Sequence, residues 1–129
     1  MSKKFELFPS VNVLGGKLKP CGNDPVTGFF RDGFCNTCTE DLGSHTVCVE
    51  VSNDFLNYSK EVGNDLSTPI QLARFPGLIQ GDRWCLCAGR WLEAYKEGKA
   101  PKIFLENTHI DAMKIIPREL LEEFAAQIN

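Results

Sequence analysis

Thr46-Val47-Cys48-Val49-Glu50-Val51-Ser52-Asn53-Asp54-Phe55-Leu56-Asn57-Tyr58-Ser59-Lys60-Glu61-Val62-Gly63 changes its hydrophobic period once, at Ser52, and that change decides the fold. Residues 46–51 alternate and are β-branched, with Val47, Val49 and Val51 on one face, which predicts a strand. Ser52 then offers a side-chain oxygen to the free amides of a helix start. The helix is expected to run to about Val62 and to close at Gly63.

Outward from this unit the pattern repeats. Residues 64–82 are turn-rich, with Pro69, Phe75-Pro76-Gly77 and Gly81-Asp82. Arg83-Trp84-Cys85-Leu86-Cys87 reads as a strand running into a helix from about Ala88 to Glu97. Ala88, Trp91, Leu92 and Tyr95 form its amphipathic stripe, and Gly98 and Pro101 stop it. Ile103-Phe104-Leu105 reads as a third strand. Thr108 is expected to cap a short helix ending near Lys114. Pro117 starts a last helix that buries Leu120, Leu121, Phe124, Ala125 and Ile128.

Upstream, Val11 to Gly43 is irregular and rich in glycine. Asn23-Asp24-Pro25 marks a turn, and Asp32-Gly33 a hairpin if Phe29-Phe30-Arg31 and Phe34-Cys35 flank it as strands. The expectation is an α+β fold, a two-layer α/β sandwich whose small sheet carries three to four helices and long loops. Residues 1–10 are expected to be a flexible N-terminus and 11–129 a single domain.

The 129 residues suit one domain, with 43% hydrophobic and 24% charged residues. Net charge is −3, and no basic run exceeds Lys3-Lys4. Nucleic acid is therefore not expected as a partner, since phosphate binding needs clustered Lys and Arg. A membrane surface is not expected either, and no apolar run approaches the roughly 20 residues that span a bilayer. The first residues lack the apolar core of a secretory signal, so the expected location is cytoplasmic. In a reducing cytosol, six cysteines point to metal, catalysis or burial rather than to disulfides.

Cys35-Asn36-Thr37-Cys38 has the C-x-x-C spacing that serves a metal or a redox pair. It lacks the βαβ setting of a thioredoxin-like site. In a strand, Cys85 and Cys87 share one face about 6.6 Å apart, with Trp84 and Leu86 opposite. Together with the first pair they would complete a four-cysteine site, with zinc as the default metal. Alternatively they are small buried hydrophobes. His45 follows Ser44 on an extended segment, so it is badly aimed at that hydroxyl. A thiol brought across by the fold, Cys85 or Cys35, suits it better as the partner of a general base. Asp41, Asp65 and Asp82 are available to orient the imidazole. Equally, His45 can hydrogen-bond a loop backbone. His109, behind the Thr108 cap, is expected at the surface. The loops Gly63–Pro69 and Gly81–Trp84 either line a pocket or satisfy themselves. No dinucleotide, phosphate-loop, zincin or nucleophile-elbow motif occurs.

Six strings in order carry a family resemblance: Asn12-Val13-Leu14-Gly15, Asp24-Pro25-Val26-Thr27-Gly28-Phe29-Phe30-Arg31-Asp32-Gly33, Glu40-Asp41-Leu42-Gly43-Ser44-His45-Thr46-Val47-Cys48, Gly63-Asn64-Asp65-Leu66-Ser67-Thr68-Pro69, Phe75-Pro76-Gly77-Leu78 and Gly81-Asp82-Arg83-Trp84-Cys85-Leu86-Cys87-Ala88. Over nearly its whole length the chain resembles the uncharacterised, mainly bacterial DUF2237 family, a domain of unknown function. The resemblance implies a compact two-layer α/β domain and no activity. It also implies shared cysteines at Cys21, Cys35, Cys48, Cys85 and Cys87 and a histidine at His45. Position 38 is commonly glycine in similar sequences, which makes Cys38 incidental.

The expected function is a binding or interaction module with a polar, thiol-containing pocket around Cys35, His45, Asp65 and Cys85/Cys87. One alternative is binding of zinc or another metal, with Cys35, His45, Cys85 and Cys87 as candidate ligands. The other is a small-molecule enzyme with a Cys nucleophile, His45 as base, and candidates His45, Cys85 and Asp65.

Overall fold

The β-branched run forms the middle strand of the sheet. In the computed structural model, which describes residues 6–126, β1 (Val47–Glu50) lies between β2 (Arg83–Leu86) and β3 (Lys102–Ile103). Both neighbours are antiparallel to it. Three α-helices occur among the described residues: α1 (Asn53–Glu61), α2 (Ala88–Lys96) and the short α3 (Arg118–Glu123). The fold is mixed α+β with long loops.

Strand alternation splits the interior in two. Val47, Val49, Trp84, Leu86 and Ile103 pack with Phe55 and Leu56 of α1 and with Ala88, Trp91 and Ala94 of α2. Cys48 and Cys85 point to the other face, where they meet Cys21, Cys35 and Phe104. One side of the sheet thus faces helices and the other a loop. The loop is held by two disulfides, Cys21–Cys48 and Cys35–Cys85.

Both outer strands bond segments beyond the sheet, which blunts them as templates for pairing with another chain. On β2 the Cys85 amide donates to Thr27 Oγ1 at 2.8 Å. Beyond β3, Ile103 N–H donates to Phe124 O, and Ala126 N–H donates to Ile103 O. This C-terminal run explains why α3 is shorter than expected: residues 124–126 leave the helix to bond β3. Ile128 lies outside the described residues, as do residues 1–5 of the segment expected to be flexible.

Ser52 caps α1 as expected, its hydroxyl accepting from Phe55 N–H. Three local expectations are corrected. The Asp32-Gly33 hairpin does not form, because Gly33 O accepts from Cys21 N–H and Gly22 N–H and the loop folds onto itself as turns. Leu105 enters a 3-10 turn (Leu105–Asn107), so β3 stops at Ile103. Thr108 is not a cap. Its hydroxyl donates to Phe104 O and accepts from Cys48 N–H.

His109 caps the 3-10 helix Ile110–Lys114 instead, its Nδ1 accepting from Asp111 N–H. It is buried, at 1% exposure, rather than at the surface. With Nδ1 accepting, the ring proton sits on Nε2 and is donated to Pro9 O. Burial, the largest influence, pushes the imidazole below its ordinary range. As pH falls through about 6.5, the unfolded chain takes up a proton that folded His109 refuses, so stability present above that pH is lost below it. Urea midpoints measured from pH 8 downward should fall more steeply in the native chain than in His109→Gln. Parallel slopes would show that His109 contributes nothing to the pH response.

Candidate thiol–imidazole site

The turn entering β1 aims His45. Asp41 N–H donates to Cys38 O and Ser44 N–H to Asp41 O, which coils residues 38–44. Ser44 sits at φ 50, a left-handed backbone that is uncommon for a residue other than glycine. Sparsely populated backbone of this kind costs on the order of 1–3 kcal/mol and gathers at functional sites. The result brings His45 Nδ1 to 2.7 Å from Asp41 Oδ1. Asp41 Oδ2 accepts two further bonds, from His45 N–H and from the Thr37 hydroxyl. The carboxylate is fully buried, whereas the imidazole is 40% exposed. A carboxylate only accepts, so Nδ1 carries the proton and Nε2 is left as the basic nitrogen.

Cys87 arrives from the other side. β2 ends at Leu86, and Cys87 is the N-cap residue of α2, half-buried and free of any disulfide. Among the described residues, no side-chain bond caps this helix. The first-turn amides of Gly89 and Arg90 have no intrahelical acceptor, so this end of α2 favours an anion. Both groups crowd Gly43: a Cβ there would stand 2.9 Å from His45 Cε1 and 3.5 Å from Cys87 Sγ.

His45 and Cys87 line one cavity of about 360 Å³, with Phe29, Arg31, Asn64, Leu66, Trp84, Leu86 and Arg90. Arg31, at φ 53, lays its guanidinium over the Trp84 ring at 5.1 Å and donates to Gly28 O. Arg90 Nη1 is 3.2 Å from Glu93 Oε1. Two cations, a thiol and an imidazole therefore share one concave surface.

The structure sorts the residues singled out in the sequence. Cys35 and Cys85 are bonded to each other and buried, so in this state neither holds a thiol for catalysis or a thiolate for metal. The physical reason is the alternation of β2, which turns Cys85 to the sheet face opposite Trp84 and Leu86. Cys87 is separated from Cys85 because the strand has already ended. Asp65 is not beside His45 in the cavity lining. It accepts from Ser67 N–H, Thr68 N–H and the Thr68 hydroxyl, and these bonds, the hydroxyl first, hold its carboxyl below the usual range. Asp82 accepts from Ile79 N–H in a turn. Asp41 is thus the carboxylate that orients His45. Cys38 is free and buried. Arg31 and Arg90 were not singled out in the sequence. The signal for Arg90 was its place three residues after the strand–helix junction at Cys87.

Residues 11–125 match the family described as an uncharacterised protein conserved in bacteria, DUF2237. The chain belongs to the DUF2237 family. Comparison with curated proteins finds no match. The DUF2237 match spans both disulfides and every residue of the cavity, so the site described above lies wholly within the family's own domain. Among the described residues, no helix is long and apolar enough to cross a membrane.

Proposed function

We propose that this DUF2237 domain is a small-molecule enzyme in which Cys87 is the nucleophile, His45 its base and Asp41 the residue that positions the imidazole. The convergence of Cys87 and His45 at Gly43, on the wall of one cavity, carries the reading. Nucleophile, base and orienting carboxylate in this order are the general form of thiol catalysis. In an acyl transfer, Cys87 Sγ would bond the substrate carbonyl carbon as its proton passes to His45 Nε2. That proton would leave with the departing group, and water would then cleave the thioester. Arg31, Arg90 and the first amides of α2 favour a substrate bearing a carboxylate or phosphate. Simple binding without turnover, the module expected from the sequence, uses the same cavity and the same cations. We read the architecture as the expected two-layer sandwich, with the disulfide-bound loop covering the free sheet face.

Alkylation rates test the pairing. At neutral pH, Cys87 should react with iodoacetamide far faster than buried Cys38. His45→Ala should slow that reaction by at least about tenfold, in line with the loss of a positioned base. Arg90→Gln should lower the ratio of iodoacetate to iodoacetamide rates by roughly fivefold, or about 1 kcal/mol. An unchanged Cys87 rate in His45→Ala sinks the enzyme reading and leaves the binding module.

A further inference from the structure

The sulfurs on the other face of β2 form a cluster of their own. Cys48 and Cys85 are cross-strand partners. The Cys48 amide goes to Thr108 and the Cys85 amide to Thr27, so the pair is of the non-hydrogen-bonded kind, whose side chains approach most closely. Cys21, Cys35 and Cys85 place their Sγ atoms within 4.8 Å of one another, and Cys48 Sγ is bonded to Cys21 Sγ. All four residues are at most 2% exposed. A tetrahedral zinc with Zn–S bonds of about 2.3 Å needs sulfurs about 3.8 Å apart.

We propose that Cys21, Cys35, Cys48 and Cys85, once reduced, form a buried tetrathiolate site for a zinc-class divalent ion. The cluster then has two closed states, a pair of disulfides or one metal. Two dithiol molecules supply the four electrons and four protons that convert both disulfides to four thiols, and are themselves oxidised to disulfides. Binding one zinc displaces four thiol protons and leaves a net charge of −2. Arg83, its guanidinium 3.8 Å from the centre of the Phe104 ring at the cluster's edge, offsets part of that charge. The ligand set differs from the one expected from the sequence: Cys21 and Cys48 replace His45 and Cys87, which line the cavity against Trp84 and Leu86.

The full chain is reduced with a phosphine in chelator, freed of both without oxygen, and given one equivalent of zinc or cobalt(II). The expected result is one metal per chain after gel filtration, with the visible bands of a tetrahedral cobalt thiolate. Peptide mapping after alkylation should find Cys21, Cys35, Cys48 and Cys85 protected and Cys87 labelled. Cys38→Ala/Cys87→Ala should keep the full stoichiometry, which separates this site from the thiol–imidazole one. A metal content near zero overturns the proposal. So does bound metal with Cys21 and Cys48 alkylated, or loss of binding in Cys38→Ala/Cys87→Ala.

Discussion

Replacing Cys35 and Cys85 together by alanine should lower stability by about 4 kcal/mol, the chain-entropy value for a closed loop of this length. The pair is separated by 50 residues and joins the irregular segment to strand β2. For a domain of this size the loss corresponds to a fall in melting temperature of roughly 15 °C. Thermal unfolding under non-reducing conditions measures it. The matching change at Cys21 and Cys48, 27 residues apart, should cost about 3.5 kcal/mol. Because both disulfides lie in one buried cluster, the two losses should not add. The reason for so large an effect lies in the loop itself. Residues 21–35 have few apolar side chains in the main core, and the disulfides give them a fixed place on the sheet. An unchanged melting temperature would mean that turns alone hold the loop.

The second large effect is expected at Trp91. It is fully buried on α2, stacked on Tyr95 at 5.8 Å and edge-on to Phe124 at 5.2 Å. Its Nε1–H donates to Pro101 O at 3.0 Å. Trp91→Ala removes the largest fully buried side chain and should cost about 3–5 kcal/mol. Trp91→Phe keeps most of the apolar volume and loses the donor, leaving Pro101 O unsatisfied. That change should cost about 1–3 kcal/mol. Urea denaturation of the two variants separates packing from hydrogen bonding. Equal losses would show that the indole N–H, not the ring, dominates. Since Cys87 is the N-cap residue of α2, the alanine variant should also blunt the alkylation of that thiol.

Much of the fold was legible where one local signal sufficed. The alternation of Val47, Val49 and Val51 gave β1, Ser52 gave the start of α1, and the Ala88, Trp91 and Tyr95 stripe gave α2. Signals that depend on distant partners were misread. His109 looked exposed beside Thr108, yet the carbonyl of Pro9, a hundred residues away in sequence, accepts its ring N–H. Asp32-Gly33 has hairpin chemistry, but the disulfide-bound loop uses Gly33 O elsewhere. The site was half legible. His45 was singled out, and Asp41 stood among three candidate carboxylates. What chose Asp41 is the left-handed turn at Ser44, which has no sequence signature because serine is not a residue that favours it. Cys85 and Cys87 looked like a pair until the strand ended between them. Cysteine connectivity is not a property of spacing, since four cysteines allow three pairings.

Strand β2 serves two masters in alternate residues: Trp84 and Leu86 form cavity wall, while Cys85 anchors the loop. Adding or deleting a single residue within Arg83–Leu86 would exchange the two sides, sending sulfur into the cavity and an aromatic ring into the cysteine cluster. No compensating point change repairs both at once. Length variation in this domain should therefore be confined to stretches such as 70–75, whose turn bonds within itself, and the four-residue strand should be inherited as an indivisible piece.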